Sequence, residues 1–289
     1  MTVLISAPSA EQRTGPTRAI WGPVAVIALY ALAATIGPPL VGYDPSFTDT
    51  GNRLLPPLST LDDGSFTLFG TDQVGQDILA QVLQGARISM IVGFFTLLLA
   101  ATTGVLIGVI AGYFGRWVDS LLMRIADIQL AFPGILLAIL VAAMLGQSIA
   151  NVIIVLSLAG WVTFARVTRG QALATTNATF VDAMRTLGAG HWHIIRTGIL
   201  PAAVAPLLVI AALEMGGIIL AEASLSFLGL GAPPSSASWG VTIANGRDFL
   251  GTAWWISTIP GAFLAILVVA CGMLGDALRD RFDPKLKAS

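Results

Sequence analysis

The chain alternates between long apolar runs and shorter polar segments. A helix rises about 1.5 Å per residue, so about 20 apolar residues cross the hydrocarbon core of a bilayer. Six runs reach or approach that length, which predicts an all-α polytopic membrane protein with six transmembrane helices. The predicted spans are residues 19–41, 89–113, 130–145, 149–165, 200–221 and 255–274.

The third and fourth runs are short and are separated only by Gly146, Gln147 and Ser148, which predicts a helical hairpin. The first run is long and lacks a small-residue cleavage pattern, so it is predicted to be a retained helix and not a removed signal peptide.

Lysine and arginine are distributed unevenly among the segments that join the spans, and this asymmetry predicts orientation. Of the fifteen basic residues, three fall on one side: Arg53, Arg87 and Arg247. The other twelve fall on the opposite side: Arg13, Arg18, Arg116, Arg124, Arg166, Arg169, Arg185, Arg196, Arg279, Arg281, Lys285 and Lys287. Both termini are therefore predicted to be cytosolic, and the loop at residues 42–84 extracytoplasmic.

Composition supports the membrane assignment and narrows the chemistry. Hydrophobic residues make up 55% of the 289 and charged residues only 11%, where a soluble domain has about 25% charged residues. The net charge of −1 argues against a nucleic-acid partner.

Sequence motifs for nucleotide binding or catalysis are missing. Both lysines lie in the C-terminal tail, so a G-x-x-x-x-G-K-[ST] nucleotide-binding loop is impossible. His191 and His193 are too few for a metal site without other ligands nearby. No G-x-S-x-G or H-E-x-x-H motif occurs. We expect no catalytic residue, no metal site and no cofactor in this chain, which is predicted not to be an enzyme.

A polar segment between the fourth and fifth spans is patterned as a short amphipathic helix. Thr179 followed by Asp182 resembles a capping box, with Asp in place of the usual Glu. An apolar face follows at helical spacing, and Gly188 is placed to end the helix in a left-handed turn. The apolar face consists of Phe180, Ala183, Met184 and Leu187. About two turns cannot form a stable helix alone in water, so this helix is expected either to lie on the membrane or to enter a groove of a partner.

Small and ionisable residues inside the spans are further candidates. Gly104, Gly108 and Gly112 recur every four residues, which is typical of closely packed membrane helices. Glu214 lies in the middle of the fifth predicted span, where a carboxylate either faces a wet cavity and meets a substrate ammonium group or forms a structural hydrogen bond. Glu222, nearer the outer end, either belongs to the pathway or fixes the turn at residues 224–231.

The polar segment resembles a known family. Phe-Val-Asp-Ala-Met-Arg-Thr-Leu-Gly at residues 180–188, followed by Ile-Leu-Pro at 199–201, is similar to the EAA loop of binding-protein-dependent ABC importers. Three positions depart from that pattern: Asp182 replaces Glu, Met184 replaces Ala, and Gly198 replaces a larger residue. Segments at residues 70–77, 85–89, 222–231, 238–240 and 275–280, with Asp283-Pro284 beyond, resemble the C-type permease subunit of dipeptide, oligopeptide and nickel importers.

The resemblance implies a type I ABC importer permease core at residues 87–276, containing a cytosolic coupling insert at 166–200. It follows a cytosolic tail at 1–18 and a first helix with its outer loop at 19–86, and precedes a second tail at 277–289. It also implies a location in the bacterial plasma membrane and docking of Phe180, Asp182, Ala183, Met184, Leu187 and Gly188 onto an ATPase.

The partners implied are a second homologous permease subunit, two cytosolic subunits that bind ATP and Mg, and an extracytoplasmic solute-binding protein. Import of nickel or another small solute, and an ion-coupled secondary transporter, stay open as alternatives to peptide import.

Overall fold

The computed structural model describes residues 18–282. Residues 1–17 of the predicted tail at 1–18 and residues 283–289 of the predicted tail at 277–289 lie outside the described residues, and with them Arg13, Lys285, Lys287 and the Asp283-Pro284 pair. Residues 277–282 of the second predicted tail belong to α10.

Helices account for most of the described chain. In chain order they are α1 (Arg18–Val41), α2 (Ile78–Phe114), α3 (Arg116–Leu130), α4 (Gly134–Leu145), α5 (Ile149–Thr176), α6 (Thr179–Thr186), α7 (His191–Ile194), α8 (Leu200–Phe227), α9 (Trp239–Gly246) and α10 (Trp255–Phe282). A π-helical turn, Ile195–Ile199, joins α7 to α8, and a 3-10 turn, Arg247–Phe249, follows α9.

Five of these segments are long and apolar enough to cross a membrane, and the count becomes six if α3 and α4 together form one bent span. The predicted span at 130–145 is therefore corrected, because its helical part, α4, has only 12 residues and meets α3 at 84°. Pro133 explains the break, since proline lacks a backbone donor and disfavours helix in the residue before it. Its ψ of 123° lies outside the helical region.

The second span begins earlier than hydropathy predicts. Helix α2 starts at Ile78, and Asp77 caps it by accepting a hydrogen bond of 2.8 Å from the Leu79 amide. Gln81 is polar and lowers the hydropathy of this first turn. Its side chain is nevertheless buried, because its amide donates a hydrogen bond of 2.7 Å to Asp72.

Helices α2 and α5 form the most extensive helix pair in the described chain. The stripe of Gly104, Gly108 and Gly112 faces α5. A Cβ atom at Gly108 would lie 2.7 Å from the Thr168 Cβ, and one at Gly112 would lie 2.6 Å from the Ala172 Cβ. Only glycine allows the two backbones to lie this close together.

The segment between α1 and α2 contains the only strands of the described residues. β1 (Ser59–Thr60) and β2 (Phe66–Thr67) pair antiparallel in a short hairpin. The Trp255 indole donates a 3.0 Å bond to the Thr71 carbonyl, which attaches this loop to α10. The loop is thus packed onto the helical body.

A second outer element, α9, is inserted between the ends of α2, α8 and α10. Trp239 is fully buried, and its indole donates to the Val82 carbonyl at 3.0 Å. The Thr242 hydroxyl lies 3.0 Å from the Gln81 amide oxygen. These contacts make α9 a fixed cap over the outer ends of the helices.

Candidate docking surface and translocation site

The polar segment between α5 and α8 forms a compact pair of short helices, α6 and α7. Helix α6 ends as the sequence predicts, because Gly188 has a φ of 85°. The Gly188 amide bonds to the Arg185 carbonyl and the Ala189 amide to the Met184 carbonyl. These two bonds form a Schellman motif, which turns the chain sharply into α7.

The predicted capping box is wrong. Thr179 is the first helical residue and Ala178 the N-cap, with no side-chain capping bond. Asp182 pairs instead with Arg185 at 3.2 Å, an exposed contact within one turn. Ala178 has no side-chain oxygen, so contact with the rest of the chain must fix the start of α6.

A single apolar residue anchors α6 to the rest of the chain. Val181 is fully buried, although it lies outside the apolar face that the sequence predicts. Most of that face points outward: the exposed fractions are 52% for Phe180 and 88% for Leu187, Ala183 is also exposed, and Met184 is half-buried. Trp192 on α7 is 68% exposed. We define the docking surface as Phe180, Ala183, Met184, Leu187 and Trp192.

The sequence predicts the four α6 residues of this surface as one apolar face, and it does not predict the burial of Val181. Val181 is the one apolar residue that interrupts the predicted face, and that interruption was the available signal.

Two contacts connect the docking surface to the membrane helices. The Tyr113 hydroxyl, at the end of α2, lies 2.7 Å from Nδ1 of His191. Ile199 is buried in a cluster with Val109 and Ala172. Helix α7 then continues through the π-helical turn into α8, so that His191–Phe227 is one uninterrupted helical rod. Helix α7 is therefore an extension of α8 that is braced against α2.

Two ion pairs join α3 to the part of α5 that begins the predicted insert at 166–200. Arg169 forms a bidentate pair with Asp119, in which Nη2 lies 2.7 Å from Oδ2. Arg166 pairs with Asp127 at 2.6 Å. Both pairs join a carboxylate of α3 to an arginine of α5.

Glu214 lines a cleft of about 190 Å³ between α4, α5 and α8. Thr163 on α5 is the other polar residue that lines this cleft. The other lining residues are apolar or glycine: Gly134, Ile135, Ala138, Leu156, Ala159, Gly160, Gly217, Ile218 and Ala221. Glu214 is thus the one ionisable group of this cleft.

Glu222 has a different environment from Glu214, because it is fully buried. It accepts hydrogen bonds from the Ser226 hydroxyl at 2.8 Å and the Ser89 hydroxyl at 3.2 Å. The Ser226 oxygen accepts in turn from the Ala232 amide at 3.0 Å. The carboxyl group therefore orients Ser226, and Ser226 closes the turn that leads to α9.

A known protein family matches much of this chain. The family of binding-protein-dependent transport system inner membrane components matches residues 104–288. The chain belongs to this family. It is accordingly a multi-pass inner membrane protein and a permease subunit of an ABC importer, not an ATPase.

Relatives cover almost the whole chain. A putative peptide transport system permease protein of Brucella suis is 42% identical over 91% of this chain and 86% of its own length. A probable D,D-dipeptide transport system permease protein of Escherichia coli is 38% identical over 90% and 85%. A di/tripeptide transport system permease protein of Pseudomonas aeruginosa is 37% identical over 92% and 88%.

A solved structure supports the fold at low identity. The inward-facing MetNI methionine ABC transporter aligns with a TM-score of 0.52 at 19% identity, covering 71% of this chain and 97% of the matched chain. The predicted type I importer fold is confirmed. Because the chain belongs to a family of ABC importer permeases, the alternative of an ion-coupled secondary transporter is excluded.

Proposed function

We propose that this chain forms one half of the translocation pathway of an ATP-driven importer of di- or oligopeptides. In this proposal it pairs with a second, homologous permease subunit. Two cytosolic subunits bind ATP and Mg, and an extracytoplasmic binding protein delivers the substrate.

The observation that carries the proposal is the exposed docking surface. An isolated soluble segment would turn Leu187 and Phe180 inward, but here only Val181 is buried and the apolar face is left open. Helix-in-groove recognition uses such a face as its anchor set. Covering the Leu187 side chain contributes roughly 1.5–3 kcal/mol to binding. Trp192 lies close enough in sequence to extend the same contact.

A membrane-surface role for this helix is less well supported. The two largest exposed groups, Leu187 and Trp192, flank a tight glycine turn, whereas an interfacial helix presents one continuous stripe along its length. Asp182 is also exposed on α6. A protein groove accommodates a protruding two-turn corner better than a flat lipid surface does.

Glu214 supports the substrate assignment. A free peptide carries an N-terminal ammonium group, and a carboxylate in an apolar cleft is the matching acceptor. The relatives named above are peptide, D,D-dipeptide and di/tripeptide permeases. We therefore assign the ammonium contact to Glu214, and we assign Glu222 a positioning role at the outer end of the pathway.

Capture of the ATPase from the native membrane tests the docking assignment. Tagged chain is purified in mild detergent as the parent, as Leu187→Asp and as Leu250→Asp. Leu250 is 53% exposed and lies beside α9, far from the insert, so it controls for adding a charge at an exposed leucine. We expect Leu187→Asp to reduce co-purified ATPase about tenfold or more, and Leu250→Asp to leave it unchanged. Equal capture by all three forms would refute the docking assignment.

Uptake of a labelled dipeptide into proteoliposomes tests the substrate assignment. The assembled complex with its binding protein is compared as the parent and as Glu214→Gln. We expect Glu214→Gln to lower uptake while the ATPase remains bound. Unchanged uptake by Glu214→Gln would refute the ammonium contact of Glu214. A parent complex that transports a nickel chelate and no dipeptide would refute the peptide assignment.

A further inference from the structure

Arg87 is a charged residue without a partner in the outer half of α2. Its side chain is exposed, and none of the ion pairs within residues 18–282 includes it. Neither the docking surface nor the Glu214 cleft involves this residue. An arginine beside membrane-spanning helices is costly without a counter-charge, so an anionic partner from outside the described residues would stabilise it.

The groove beneath Arg87 is apolar. It lies between α1 and α2 and has a volume of about 410 Å³. Its lining residues besides Arg87 are Ala31, Ala34, Thr35, Pro39, Met90, Ile91, Phe94 and Phe95. Phe94 and Phe95 are 56% and 47% exposed and lie about two turns further along α2 than Arg87. The groove thus has a cation at one end and an apolar floor below it.

The packing of α1 on α2 sets the depth of this site. Gly37 on α1 lies against Leu83, because a Cβ at Gly37 would be 3.2 Å from the Leu83 Cβ. Arg87 is one turn deeper, and Val41 ends α1 about four residues beyond Gly37. The Arg87 backbone therefore lies roughly two turns, on the order of 10 Å, inside the end of α1. A flexible arginine spans such a distance by extending toward the polar boundary.

We propose that this groove binds a membrane phospholipid, with its phosphate paired to Arg87 and an acyl chain lying over Phe94 and Phe95. The guanidinium matches phosphate through two parallel N–H donors. The order of chemistry along the groove, cation toward the boundary and apolar toward the interior, is that of a phospholipid. The proposal depends on the membrane placement of α1 and α2 and not on ATPase docking or on the peptide substrate.

Native mass spectrometry of the purified importer complex tests this site. The complex is titrated with phosphatidylglycerol, phosphatidylethanolamine and diacylglycerol, which separates the phosphate from the acyl chains. The variants are Arg87→Gln and Arg247→Gln. Arg247 is the matched control, because it is another exposed arginine on the predicted outer side and lies outside the groove.

We expect Arg87→Gln to lower occupancy by both phospholipids about fivefold. Diacylglycerol binding should be weak in every form, and Arg247→Gln should match the parent. Ala31→Phe, which fills the groove and keeps the cation, should also reduce phospholipid occupancy.

Two outcomes would overturn the proposal. Equal phospholipid occupancy in the parent and Arg87→Gln would show that the guanidinium does not hold a phosphate. Loss of the second permease subunit from Arg87→Gln, with phospholipid binding unchanged, would assign Arg87 to a carboxylate of a protein partner. If Arg87→Gln lowers phospholipid occupancy and also loses the ATPase, the lipid site is supported and the loss of the ATPase concerns the docking surface.

Discussion

Replacing Gly108 with alanine should destabilise the chain, although the same change in an uncrowded helical position should stabilise it. The new Cβ would lie 2.7 Å from the Thr168 Cβ and 3.0 Å from the Arg169 amide nitrogen, and closer still to the Ala165 carbonyl oxygen. Ordinary contact begins at 3.4 Å. Because two of these three atoms are main chain, side-chain rotation cannot relieve the overlap, and α2 and α5 must separate by at least 0.7 Å (3.4 minus 2.7).

A gap of that size removes a quarter to a half of the dispersion energy of the contacts it opens. Overpacking of this kind typically costs about 1–3 kcal/mol. The alanine also restricts the unfolded chain and favours helix, which returns about 0.5–1 kcal/mol. Gly108→Ala should therefore be less stable than the parent by up to about 2.5 kcal/mol.

Gly272 provides the matched control, because it lies inside α10 and a Cβ there meets nothing within 4 Å. Gly272→Ala should be more stable than the parent by about 0.5–1 kcal/mol. Thermal unfolding in one detergent, followed by helical circular dichroism, measures both variants. If Gly108→Ala unfolds at or above the temperature of the parent, the close approach of α2 to α5 does not stabilise this fold as argued.

Three further predictions concern hydrogen bonds of named groups. Glu222→Ala should lower the free energy of unfolding by about 1–3 kcal/mol, because it leaves the buried Ser89 hydroxyl without its acceptor. Glu222→Gln should lower the free energy of unfolding by less. An equal decrease in the two variants would refute the argument. Tyr113→Phe removes the hydrogen bond to His191. It should lower transport-coupled ATP hydrolysis while the amount of co-purified ATPase is unchanged. Unchanged ATP hydrolysis would show that this contact is dispensable. Burial raises the pKa of the Asp77 carboxyl group above its ordinary value of 3.8. The folded chain therefore binds the proton of this carboxyl group more tightly than the unfolded chain does. It loses stability as pH rises from 3.8 through the raised pKa. Asp77→Asn keeps a capping side chain and should flatten the pH dependence of the unfolding temperature over that range, and an identical profile in both forms would contradict the assignment.

Hydropathy predicts the membrane helices because a span must consist of apolar residues over a fixed length. It fails where polar side chains are satisfied inside the protein. Gln81 is polar, as loop residues often are, but it lies in the first turn of α2. Asp72 and Thr242 form hydrogen bonds with its side-chain amide. It fails again at Pro133, where apolar composition continues through a break in the backbone.

The candidate site shows the same division. Helical spacing identified the face of α6, and Gly188 identified its end, because both signals are local. The partner of each polar group is not local. Ser89 is 133 residues from Glu222, and Tyr113 is 78 residues from His191. Such pairings depend on which helices meet, and one sequence without a fold does not specify them.

The path from the docking surface to the Glu214 cleft is a single piece of helix. From His191 to Glu214 the rod runs without interruption for 23 residues, about 35 Å at 1.5 Å per residue. A displacement of Trp192 by a partner therefore moves Glu214 unless the rod bends, and a π-helical turn is one of the places where helices deform. Helix α5, which forms the opposite wall of the cleft, is held to α2 by the glycine stripe and to α3 by two ion pairs. We expect the α8 wall to move against this braced α5 wall, so that docking at one end of the rod changes the width of the cleft at the other.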